Sequence, residues 1–138
     1  GETNTLSFHP RGEVLGLAEG PAGWLHQLAA VLATGNRLVL PGCPAVEALV
    51  AALPDLAGAR VILYDDPASV RWQAVLADLP ENEVARWRQS LAGQAGPILP
   101  LLVPEPDYAI ERLVVERCVT VNTAATGGNA GLMRLGDA

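Results

Sequence analysis

From residue 13 to residue 104, short apolar runs alternate with longer segments patterned like helices, and this alternation limits the folds open to the chain. The strand candidates are EVLGLA (13–18), RLVLP (37–41), ARVILYD (59–65), WQAVLADL (72–79, centred on 74–77) and PILPLLVP (97–104). Between them, AGWLHQLAAVLATGN places Leu25, Leu28, Ala29 and Leu32 on one helical face and stops at Gly35-Asn36. PAVEALVAALPDL does the same with Val46, Leu49, Val50 and Leu53, and PENEVARWRQSLAGQAG with Val84, Trp87 and Leu91. The reading is an α/β fold, Rossmann-like and doubly wound, with a mainly parallel sheet of about five strands. The third strand is apolar on both faces, so it is expected to be covered on both sides. Pro100 marks the fifth as an edge or a bulge. With 50% apolar residues but few aromatics, Ala, Leu and Val must fill the core, and Trp24, Trp72 and Trp87 read as filler.

The two ends leave this pattern. Residues 1–12 (GETNTLSFHPRG) read as a linker or extended arm, 13–108 as the Rossmann-like domain, and 109–138 as a C-terminal strand with a small-residue tail. After a helical turn, Val115, Arg117, Val119 and Val121 alternate with Glu116, Cys118, Thr120 and Asn122. Such a strand, arriving after the sheet is finished, is expected to protrude and pair elsewhere. Gly1 is not a natural start, so an excised or processed piece is expected.

Composition excludes much chemistry. The net charge of −6 disfavours a nucleic-acid surface. All nine basic residues are arginine, so neither a Schiff-base lysine nor a Gly-Lys-Ser/Thr phosphate loop exists. No apolar run is long enough to span a bilayer. The first strand-to-helix turn, GLAEGPAG, has Gly16, Gly20 and Gly23, but the spacing is wrong for G-x-G-x-x-G, and Glu19 would repel a pyrophosphate. Cys43 precedes a helix but lacks an evident base, since His9 lies in the arm and His26 on a helix surface. Cys43 and Cys118 have no metal-ligand spacing, and a disulfide between them is not expected in a cytosolic setting. Asp65-Asp66 ends the third strand, where ligands of open sheets sit, yet such pairs more often solvate a loop.

The tail is more specific. ERLVVERCVTVNTAATGGNAGLM (111–133) resembles the C-terminal signature of long-form proline utilization A, with Thr120 and Gly131 where that family has Ser and Thr126 where it has Ala. GETNTLSFHPRG and LAAVLATGNRLVLP resemble neighbouring parts of the same family. These bifunctional or trifunctional bacterial enzymes join proline dehydrogenase to NAD-dependent L-glutamate-γ-semialdehyde dehydrogenase. The resemblance implies an aldehyde dehydrogenase superfamily fold and a non-catalytic C-terminal domain. Such a domain packs on the aldehyde dehydrogenase module, covers the substrate channel and supports activity. It implies no catalytic, cofactor-binding or metal residue here; FAD and NAD belong to the parent. The implied contact residues are Val119, Val121, Asn122, Thr123, Gly127, Gly128 and Asn129, with interdomain ion pairs open to Glu111, Arg112, Glu116 and Arg117. The partner is the parent's aldehyde dehydrogenase module, with self-association expected of the isolated chain. No nucleic acid or membrane span is expected. The implied setting is cytoplasmic, with the parent at most peripheral at the inner membrane. A pure oligomerisation module, or a nucleotide-binding enzyme domain, are the alternatives.

Overall fold

The structure is a computed structural model that describes residues 1–122. Five strands form one parallel sheet: β2 (Glu13–Ala18), β3 (Arg37–Pro41), β4 (Val61–Tyr64), β5 (Ala74–Asp78) and β6 (Leu101–Leu102), in the order β4-β3-β2-β5-β6. The chain winds outward from β2 in one direction, returns across it, and winds outward in the other, as in a Rossmann-like fold. Helices α1 (Pro21–Ala33), α2 (Pro44–Ala52), α3 (Asp55–Gly58) and α4 (Glu81–Ala92) make the connections. A second sheet pairs β1 (Glu2–Pro10) with β7 (Val114–Asn122). Among the described residues, 1–8 with 116–122 form one compact unit, and His9–Val115 the other.

The strands alternate as a two-sided sheet requires. Val14, Leu38, Leu40, Ala74 and Leu76 face α1 and α2, whereas Leu15, Val39 and Val75 face Trp87 and Leu91 of α4. Trp24 lies in the first cluster and Trp72 against the second, so all three tryptophans serve as filler. Helix α1 stops as its Gly-Asn predicts. Gly35 takes φ +72°, which a Cβ would disfavour, and its N–H bonds Leu32 O while Asn36 N–H bonds Val31 O. The Asn36 side chain is buried. Its Oδ1 accepts from Gly12 N–H at 2.8 Å, and its Nδ2 donates to Leu113 O at 2.9 Å. One amide thus ties the end of α1 to the start of β2 and to the turn before β7.

Three expectations are corrected. Helix α1 buries Trp24, Gln27, Leu28 and Val31; Leu25, Ala29 and Leu32 are exposed. Apolar residues surround this helix, so two stripes fit the same period, and the polar Gln27 disguises the correct one. The third strand spans four residues, not 59–65, and lies at the sheet edge with Leu63 39% exposed. The next crossover carries the chain back past β2, so among the described residues no strand flanks β4 on its outer side. The fifth strand keeps only two residues of 97–104 and is an edge, because prolines on either side remove ladder donors. The fourth strand lies where expected, with Ala74 to Ala77 fully buried.

Candidate interaction surface

The turn from β2 into α1 is where this fold type holds a phosphate, and here it is packed instead. A Cβ on Gly16 would lie 2.6 Å from Gln27 Oε1, 2.8 Å from Leu40 Cδ2 and 2.9 Å from Leu38 Cδ1. A Cβ on Gly23 would lie 2.6 Å from Ala18 Cβ and 3.0 Å from Asp78 Oδ2. Both glycines let α1 sit close on the sheet. Gly20, at the helix cap, has open space around it. Glu19 is exposed, and the Asp78 carboxylate stands beside the first turn of α1. Two carboxylates there oppose a pyrophosphate.

Beneath that turn lies a buried polar cluster. Gln27 Nε2 lies 2.7 Å from Leu17 O, 3.2 Å from Leu76 O and 3.2 Å from Tyr108 Oη. Burial pushes the Tyr108 phenol above its ordinary range; the Gln27 hydrogen bond opposes this and the Asp78 charge adds to it. Burial also raises Tyr64. His26 stacks at a tilt on Tyr108, with centroids 5.0 Å apart, and its Nε2 lies 3.1 Å from Asp107 Oδ1. The cluster fixes the loop before the last turn to α1, and it contains no nucleophile paired with a base. Asp66 Oδ1 accepts from Ala68 N–H at 2.9 Å, so this acid caps a 3₁₀ turn. Cys43 is half-buried against the core, Cys118 is exposed, and both are free thiols. Among the described residues no cluster of three metal-ligating side chains occurs, and no helix is long and apolar enough to cross a membrane.

The β1–β7 ribbon is different. Ser7 Oγ donates to Arg117 O, and Thr120 Oγ1 donates to Asn4 Oδ1. Partner positions therefore advance in opposite directions, and the strands are antiparallel. This register places Thr3, Thr5 and Ser7 on one face with Val121, Val119 and Arg117. The other face carries Asn4, Leu6 and Phe8 with Thr120, Cys118 and Glu116. Apolar side chains stand half exposed on both faces: Leu6 56%, Phe8 60%, Val119 50% and Val121 52%. Among the described residues the two strands bury neither face, which leaves apolar side chains exposed on both.

Of the contact residues expected from sequence, Val119 and Val121 share a face, and Asn122 ends β7. Thr123, Gly127, Gly128 and Asn129 lie outside the described residues. Glu111 and Arg112 sit exposed on the turn before β7, and Glu116 and Arg117 are exposed on β7 itself. None of these four joins the ion pairs His26–Asp107 and Arg37–Glu13. Sequence reasoning missed Leu6 and Phe8 by reading residues 1–12 as a polar arm. Their spacing of two was the available signal.

Comparison with known proteins places this surface in context. The bifunctional protein PutA of Rhizobium meliloti is 33% identical over 145 residues, which cover 99% of this chain and 12% of that protein. The bifunctional protein PutA of Escherichia coli K12 is 35% identical over 141 residues, covering 99% and 11%. The chain is homologous to a segment of proline utilization A. Solved structures share the fold. A mutant of Bradyrhizobium japonicum proline utilization A aligns with TM-score 0.52 and 23% identity over 74% of this chain and 12% of its own. A proline utilization A with proline bound in remote sites aligns at TM-score 0.53 and 24% identity, with the same coverage. No family model matches the chain. The chain spans about 12% of the length of the Rhizobium protein and about 11% of the Escherichia coli one.

Proposed function

We propose that the chain is a non-catalytic C-terminal domain of a bacterial enzyme that converts proline to glutamate. It packs on the aldehyde dehydrogenase module, covers the substrate channel and supports that module's activity. FAD and NAD serve the parent's two reactions and are not held by this segment. The carrying observation is the ribbon with half-exposed Leu6, Phe8, Val119 and Val121 on its two faces, in a chain homologous to a small part of a long enzyme. Three further features support it. Gly16 and Gly23 serve packing, Glu19 and Asp78 guard the phosphate position, and among the described residues neither cysteine hydrogen-bonds a histidine.

The test is aldehyde oxidation by the full-length parent, with Val119→Asp and Val121→Asp on the ribbon. Loss of aldehyde dehydrogenase turnover, with proline dehydrogenase activity retained, is the expected result. Unchanged turnover with a changed sedimentation coefficient would instead select a pure oligomerisation role.

A further inference from the structure

The six-stranded order of this fold type continues past the fifth strand, yet among the described residues the sheet ends at β6. In a parallel ladder one residue bonds the two neighbours of its opposite number. Val75 is opposite Leu101, and its N–H bonds Pro100 O at 2.9 Å. The main-chain groups of Leu101 therefore point away from β5, and by alternation so does the Val103 N–H. No hydrogen bond to them occurs among the described residues.

This open edge runs along two grooves. One, of about 380 Å³, is lined by Leu91, Ala92, Gln94 and residues 96–101; the other, of about 460 Å³, by Leu101, Leu102, Val103, Glu105, Tyr108 and Asp107, the last already paired with His26. Arg88, Leu101 and Arg112 border both. Neither guanidinium joins an ion pair among the described residues. Ile98, beside the edge, is 98% exposed. Unpaired main chain, two free guanidiniums and an apolar flank together describe a complementary ligand. It is a short extended peptide with a carboxylate side chain. Pro100 and Pro104 limit the pairing to the residues between them.

We infer that an extended, carboxylate-bearing segment of the parent polypeptide adds to β6 as a sixth strand, its carboxylate held by Arg88 and Arg112. The inference rests on the reading that the chain works within a longer parent. A tethered segment reaches the edge at high effective concentration, which favours it over a free peptide.

Amide hydrogen exchange on the full-length parent, read at single residues, tests this. Leu102 N–H faces β5 and serves as the internal control. Protection at Leu101 of about 100-fold or more over the unstructured rate is expected, together with at least a tenfold loss in the Arg88→Glu/Arg112→Glu variant while Leu102 and Val75 stay protected. Exchange of Leu101 at the unstructured rate in the unaltered parent overturns the inference. Protection unchanged in the double variant overturns the carboxylate clamp. Protection that rises with protein concentration identifies a second copy as the occupant and overturns the tethered segment. If the double variant loses Leu102 protection as well, the Arg112→Gln variant replaces it under the same criteria. Exchange at Leu6 and Val119 in the same experiment reports on the ribbon separately, so failure at β6 is distinguishable from failure of the proposed function.

Discussion

Replacing Gly16 by alanine adds one methyl where three atoms already stand at 2.6, 2.8 and 2.9 Å. None can step aside cheaply. Gln27 Oε1 belongs to an amide whose nitrogen lies 2.7 Å from Leu17 O and 3.2 Å from Leu76 O. Leu38 and Leu40 are 0% and 1% exposed, so moving either displaces the core. Overpacking of a well-filled core costs about 1–3 kcal/mol, and three pinned neighbours place this case near 3 kcal/mol. For a domain of this size that lowers Tm by roughly 10 °C. Gly20→Ser is the control. Gly20 has extended backbone and nothing within 4 Å of a Cβ, and serine caps a helix slightly better than glycine. A Tm change within about 1–2 °C is expected. If the turn were a phosphate loop, its glycines would serve backbone approach to a ligand, and in the empty protein neither change would matter much. Thermal unfolding of both variants decides: Gly16→Ala melting within 2 °C or so of the parent would refute the packing argument.

Asn36→Ala removes the bonds to the half-buried Gly12 N–H and the buried Leu113 O, so a loss of about 2–3 kcal/mol is expected in urea unfolding. Tyr108 is expected to make stability fall at alkaline pH. Its folded pKa lies above the ordinary 10.0, so the folded state keeps a proton that the unfolded state has released. Its contribution is fully present below pH 10 and is lost as pH rises through the folded value; Tyr108→Phe should flatten that decline in denaturation curves taken from pH 9 upward. Cys43→Ser should leave aldehyde oxidation by the parent unchanged, measured as NADH formation, because the half-buried thiol packs against core side chains.

The sheet was legible in the sequence because its signals are local. Ala74 to Ala77 form a continuous apolar run, and a buried parallel strand needs no more than that. Val84, Trp87 and Leu91 were equally plain, since α4 carries charge over the rest of its surface and only one stripe can face inward. Helix α1 was misread for the opposite reason: it has no charged residue, so periodicity alone cannot choose the buried face. What chooses is Gln27, and its partners Leu17, Leu76 and Tyr108 come from three distant parts of the chain. The edge positions of β4 and β6 depend on the order of crossovers, which no local window contains. The ribbon was half legible. Val119 and Val121 alternate in a β-branched strand, but Leu6 and Phe8 were hidden among polar neighbours.

The ribbon's two faces restrict how it can be covered. Leu6 and Phe8 point one way, and Val119 and Val121 the other, by the register that Asn4 and Ser7 set with Thr120 and Arg117. A flat partner surface can bury one face only. A pure dimer contact through one face would leave either the Leu6–Phe8 pair or the Val119–Val121 pair in water, at roughly 1–2 kcal/mol for each half-exposed side chain. Full burial therefore needs a partner that wraps the ribbon or two partners, one on each face. A long parent enzyme that also assembles with a second copy can meet that need, because its own module can take one face and the second copy the other. On this argument the covering and oligomerisation roles are compatible, and each face should report on one of them.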